Sequence, residues 1–262
     1  MQIDVSSPMP QVKWHAALFL LLLPIFPMGA SAEPPFRVTE TAHPIALHSR
    51  QIETGFTLDH SAYDRSVRAL NLTLRYGLTS DLEVGLHLPY LWVSNSSAHT
   101  HQWGDMRLHA KARLIRERAA NPLSIATALF VKLPSAGNDP FLGTTGRADI
   151  GLFIIASKPF PQVAAHAQVG YVIHGRPVRR QKQDQFHSSI GIVYAPAPRW
   201  AATAEVLGEI QIGHPAAHSL WSLGAGLRYL PMPRMAVDLS LTKGLTSRAP
   251  DWGLHIGAVT PF

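Results

Sequence analysis

The 262-residue chain has no cysteine, so no disulfide can hold its fold. Charge is also scarce. Asp, Glu, Lys and Arg make up 15% of the residues, against roughly 25% in ordinary soluble domains. With 46% hydrophobic content, this excludes a disordered or acidic-tail protein. Long apolar runs are missing as well: beyond the first thirty residues none approaches the roughly 18 residues of a membrane-crossing helix. A mean hydropathy of +0.05 agrees. A helical membrane protein and a small disulfide scaffold are both excluded.

The N-terminus carries its own signal. Lys13 and His15 precede the apolar run 16–23, which is followed by Pro24, Pro27 and the small residues Gly29-Ala30-Ser31-Ala32. Residues 1–32 read as a secretory signal peptide, leaving Glu33 as the first mature residue. The run is too short and too rich in proline for a membrane anchor. The removed segment holds one acid, Asp4, and one base, Lys13, so the mature chain keeps the formal charge of +6. Residues 33–49 are assigned as a periplasmic N-terminal segment, with 50–262 as the barrel domain.

What is abundant is alternation. Leu70, Leu72, Leu74 and Tyr76 alternate with Asn71, Thr73 and Arg75, and after the turn 77–81 Leu82, Val84, Leu86 and Leu88 alternate with Glu83, Gly85 and His87. A period of two gives a strand one apolar and one polar face, and two such strands across a short turn form a hairpin. Met106, Leu108, Ala110, Ala112 and Leu114 interleave with Arg107, His109, Lys111 and Arg113. Four basic side chains on one face must meet water, so the opposite face meets something apolar. The same pattern recurs to the C-terminus and, with a first strand near Ile52–Leu58, predicts twelve strands. The fold class is all-β: a closed, up-and-down, antiparallel transmembrane barrel. In hydrocarbon every unpaired backbone group costs several kcal/mol, and only closure removes both sheet edges.

Connection lengths support this. One alternate set is short, as in 77–81, 119–122, 158–161, 195–199 and 230–234; the other is generally longer, as in 93–104, 134–146, 175–185 and 213–219. Short turns on one rim and long loops on the other match an outer-membrane barrel. Aromatics including Tyr76, Tyr90, Trp92, Trp103, Tyr194, Trp200, Tyr229 and Trp252 fall near strand ends, as an interfacial girdle requires. The terminal Phe262 resembles the signal read by the bacterial barrel-assembly machinery. The expected surroundings are therefore outer-membrane lipid and lipopolysaccharide.

The segments 74–86, Gly104-Asp105-Met106-Arg107-Leu108, Val131-Lys132-Leu133-Pro134 and Ala249-Pro250-Asp251-Trp252-Gly253 resemble the outer-membrane barrels of the family of the MetA pathway of phenol degradation. The resemblance runs from about Ile52 to Phe262 and rests on turn and strand signatures. It implies a channel or transporter whose substrates are mostly unassigned and brings no catalytic residues; the expected solutes are small, aromatic or hydrophobic or anionic.

Roughly eight strands leave an interior filled by side chains, while about sixteen to eighteen leave a water channel. Twelve lies between, so the lining decides. Alternation places Arg75, Glu83, His87, Arg107, His109, Lys111, Arg113, Glu205, Glu209, Arg228 and Asp238 on the inner face as candidate pore-lining residues. The basic strand 107–113 favours anions. The alternative is that these charges pair with Glu205, Glu209 and Asp238 and fill the lumen. His99-Thr100-His101 supplies only two imidazoles, too few for a metal site, and no cofactor is implied. His187 and Ser189 share a face, as in outer-membrane lipid hydrolases, but that face is the lumen and no third residue orients the base. The bases alternate along strands instead of forming an exposed patch, which argues against nucleic acid. Rival readings are a structural barrel without transport and a lipid-modifying enzyme.

Overall fold

A strand that is greasy on one side and charged on the other can bury both faces only by curling a sheet around a polar interior. The computed structural model describes residues 37–61, 65–118, 122–139, 142, 144–175, 184–212 and 219–262. The predicted signal peptide, most of the turn 119–122 and the tips of the loops 175–185 and 213–219 lie outside the described residues. The strands are β1 (Arg50–Ser61), β2 (Arg65–Gly77), β3 (Leu82–Ser94), β4 (His99–Trp103), β5 (Arg107–Ile115), β6 (Ser124–Lys132), β7 (Asp149–Pro159), β8 (Val163–His174), β9 (Gln185–Ala197), β10 (Trp200–Gln211), β11 (Ser219–Met232), β12 (Met235–Gly244) and β13 (Trp252–Pro261).

All neighbours are antiparallel. β1 pairs with β2 and with the last strand β13, and β2 pairs with β3, which closes the ring. Thr54 stands opposite both Ala258 and Leu72, and the Phe262 N–H donates to the Arg50 carbonyl at 3.0 Å beyond the ladder. Twelve strands make the barrel, as the alternation predicts. β4 is additional. It lies in the stretch 93–104 expected to be a loop, and forms a hairpin arm on β3 from Tyr90↔Trp103 to Ser94↔His99. β3 pairs with β5 only from Leu82↔Ala112 to His87↔Arg107. The upper edge of β3 would otherwise be bare, and β4 satisfies it.

The usual distribution of polarity is inverted. Leu108, Leu129, Leu152, Ile154, Ile190, Leu227, Leu241 and Ile256 are exposed on the outer wall, while Glu83, Lys111, Asp149, Glu205, Arg228 and Asp238 are buried. The buried apolar cluster contains only Ala42, Ala126 and Ile155, flanked by Ala128 and Phe153. An apolar surface this continuous needs a nonaqueous neighbour, and a bilayer supplies it at matching strand length. Rings mark the rims. Trp200 and Tyr229 pack 4.5 Å apart at the short-turn end, and Tyr90 meets Trp92 at 4.7 Å and Trp103 at 5.3 Å at the other.

Of the segment 33–49, expected to be periplasmic, the described part is 37–49. Described from Arg37, it runs inside the barrel, with Thr39, Thr41, Ala42 and Ile45 buried. It reaches the short-turn rim at 46–49, where His48 takes φ 58° and its N–H donates to the Gly77 carbonyl at 2.8 Å. Charged and polar lumen side chains supply the partners that its extended backbone lacks.

The turn 77–81 is tied to the neighbouring strand end. Asp81 accepts from Arg113 Nε at 2.8 Å and from Arg116 at 2.8 Å. Hydrogen bonds from Arg116 and then Arg113 hold its carboxyl down at about 2, below the usual carboxylate range. Because the folded state releases this proton more readily, its stabilisation is complete above about pH 4 and disappears as pH falls through about 2. Asp81→Asn will therefore lower the thermal unfolding temperature at pH 7 and have a progressively smaller effect as pH falls toward 2 and below, measured by circular dichroism in detergent.

Candidate functional site: the lumen and its N-terminal plug

A single extended chain inside a barrel has no sheet partner, so its backbone groups need side chains. β10 provides Glu205. Its carboxylate accepts from the N–H groups of Arg37 at 2.6 Å, Val38 at 3.4 Å and Thr39 at 3.2 Å, and from the Thr39 hydroxyl at 3.0 Å. On β8, Gln168 accepts from the Glu40 N–H at 3.1 Å and donates to the Val38 carbonyl at 3.0 Å. Ser157 Oγ on β7 accepts from the Ala42 N–H at 2.8 Å, and Glu83 on β3 accepts from the Ile45 N–H at 2.7 Å. Four strands thus hold one segment. The Arg37 side chain pairs with Asp59 and donates to Thr242 Oγ1 at 2.9 Å.

The predicted lumen charges come together as networks. Arg75 bridges Glu53 and Glu83, each at 2.8 Å; Lys111 lies 3.3 Å from Glu83 and 3.4 Å from Glu40 of the plug. The Glu83 and Lys111 side chains are 0% and 1% exposed, so these two brace the plug instead of facing open water. Arg228 and Asp238 form a two-point pair at 2.7 and 2.6 Å, with the fork geometry that lets a buried pair offset its desolvation. Lys132 joins Asp105 at 2.9 Å and Asp149 at 3.1 Å, and His174 lies 2.9 Å from Asp149. Arg113 belongs to the rim with Asp81. His87, Arg107, His109 and Glu209 line a cavity of about 500 Å³ on the long-loop side of the plug, together with Val38, Phe130, Phe153 and His187.

Two parts of this site escape sequence reasoning. The plug segment has no periodicity, and its acceptors come from four distant strands. Phe130 and Phe153 point inward on strands whose two faces are both apolar, as in Ala126, Ala128 and Phe130 against Ile125, Leu129 and Val131. Their parity with Lys132 and Asp149 was the available signal.

Ser189 is buried in the lumen wall, and His187 has Glu209 at 3.5 Å, a carboxylate neighbour absent from the sequence reading. Neither faces the lipid. His101 on β4 is engaged by the Tyr90 hydroxyl at 2.8 Å.

A family model described as "Putative MetA-pathway of phenol degradation" matches residues 49–260. Among solved structures, an outer-membrane channel of Pseudomonas putida F1 is similar at a TM-score of 0.71 and 13% identity, covering 84% of this chain and 98% of its own. The KdgM porin, solved in complex with disordered oligogalacturonate, is similar at 0.56 and 9% identity, covering 81% and 99%. The CymD monoaromatic hydrocarbon channel is similar at 0.51 and 13% identity, covering 82% and 87%. No curated protein sequence matches the chain significantly.

The anchoring of the plug gives a direct test, because the native chain has no thiol to interfere. Thr41→Cys will resist a membrane-impermeant maleimide in the folded barrel. Adding Glu205→Ala, which removes acceptors from four donors, will speed its labelling by about tenfold or more, since each charge-assisted bond contributes roughly 1.5–3 kcal/mol.

Proposed function

Because the chain belongs to the family of the MetA pathway of phenol degradation, we propose that it is a bacterial outer-membrane channel or transporter that admits small solutes, aromatic, hydrophobic or anionic, into a lumen gated by its own N-terminal segment. The observation that carries this is the cavity of about 500 Å³ inside the barrel, lined by Arg37, Val38 and Glu40 of the plug together with strand residues of the wall. A barrel serving only as structure would have no reason to keep such a space above a plug that is seated by side chains instead of backbone ladders. Cleavage after Ala32 leaves Glu33 as the mature N-terminus, four residues before Arg37. Phe262 presents the C-terminal aromatic to the assembly machinery, and lipid and lipopolysaccharide surround the wall. The chain carries out no catalysis: His187 and Ser189 are lumen lining, out of reach of lipid.

Arg75, Glu83, Lys111, Glu205, Arg228 and Asp238 act as the seat of the plug and the frame of the wall. His87, Arg107, His109 and Glu209 are the residues a solute meets, and Arg113 holds the exit rim.

Planar-bilayer recording of the folded mature protein tests this reading. The intact chain will give small conductance steps, removal of residues 33–44 will enlarge them several-fold, and Arg107→Gln will weaken the preference for anions. Folded protein that gives no steps, with or without residues 33–44, retires the channel.

A further inference from the structure

The wall of the cavity carries a staircase of rings. Phe130 on β6 stands opposite Gly151 on β7, and Phe153 on β7 stands opposite Gly170 on β8. Each ring lies across its glycine so closely that a Cβ there would come within 2.2 Å of it. The backbone therefore forms the floor, and the rings are held flat along the wall. Phe130 and Phe153 centroids are 6.0 Å apart at 30°, and His187 follows 5.9 Å beyond Phe153. Phe153 stands on the diagonal from Phe130, two residues farther from the long-loop rim, and His187 is level with Phe153 across Gly170.

At the upper end the Arg107 guanidinium stands over the Phe130 ring, 4.5 Å from its centroid. Its situation is unlike that of the other lumen cations. Arg75, Lys111, Lys132 and Arg228 each have a carboxylate at salt-bridge distance. Among the described residues Arg107 has none, and the acids acting on it, Glu40 and Asp149, do so from farther away. A guanidinium stacked on a ring keeps its edge free, and that edge matches a carboxylate in a two-point fork.

We propose that this staircase binds an aryl carboxylate, with the carboxylate on Arg107 and the ring against Phe130 and Phe153. The inference rests on the channel reading and names its solute class. A neutral aromatic would leave the guanidinium unanswered, and an aliphatic acid would leave the rings unused. A cavity of about 500 Å³ is ample for one such molecule. Phe153 also packs against the cluster of Ala42, Ala126 and Ile155 that seats the plug, so a ring bound there meets the element that closes the lumen.

Calorimetry on the folded mature protein in detergent, with benzoate, benzyl alcohol and acetate as probes, tests the inference. Benzoate is expected to bind about tenfold more tightly than either of the others, the size of one charge-assisted interaction. Arg107→Gln will abolish its advantage over benzyl alcohol, Arg107→Lys will restore part of it, and Phe153→Leu will abolish its advantage over acetate. Equal binding of benzoate and benzyl alcohol by the unaltered protein, or unchanged benzoate affinity in folded Arg107→Gln, overturns the site. Bilayer conductance without benzoate separates the two claims: steps without benzoate preference overturn the site alone, and benzoate preference without steps overturns the channel and leaves the site standing.

Discussion

Every backbone amide in a bilayer must find its partner within the protein, and the rest of this molecule follows from that constraint. Strands can meet it only as a ring without edges. β1 therefore pairs with β13, and β2 and β3 complete the circuit. Where β3 outruns β5, the chain supplies β4 to occupy the exposed edge. The outer face can then be as apolar as Leu152, Ile154 and Ile190 make it, because the hydrogen bonding is complete before any side chain is considered.

The same closure turns the polar faces inward and creates a second problem, since charges confined in a narrow lumen must be compensated. Arg228 with Asp238, and Lys132 with Asp105 and Asp149, do this within the wall. Glu205 is compensated instead by four donors of the plug, and Glu83 by Arg75, Lys111 and the Ile45 N–H. The plug and the charged wall thus satisfy each other: an extended segment has unpaired amides, and the lumen has carboxylates facing it. Among the described residues Arg107 has no carboxylate at salt-bridge distance, so the cavity above the plug retains a cation able to receive a solute.

Much of the fold is legible in the residues. The stripe Arg107, His109, Lys111, Arg113 against Leu108, Ala110, Ala112 identifies an amphipathic strand without ambiguity, and its repetition predicts the twelve-stranded barrel that the pairing of β13 with β1 closes. The inner faces were legible where charge marked them, as with Glu205 and Asp238. Where both faces are apolar no such mark exists, and Phe130 and Phe153 by themselves carry no sign of facing inward. The segment after Ala32 was illegible for a different reason. Its sequence has neither period nor motif, and its place is set by Glu83, Ser157, Gln168 and Glu205 on four separate strands.

The amino-acid sequence by itself determined which residues face hydrocarbon and which face inward, because a two-residue period is a local property that any short stretch displays. It determined the number of wall strands and the sorting of short turns from long loops on the same grounds. Only the tertiary structure decided which lumen charges are spent on one another, that residues 37–45 lie inside, and that Arg107, with no salt-bridge partner among the described residues, stands over a run of rings. Those outcomes depend on register between strands far apart in the chain, where a shift of two residues would exchange one partner for another without altering the pattern of any single strand.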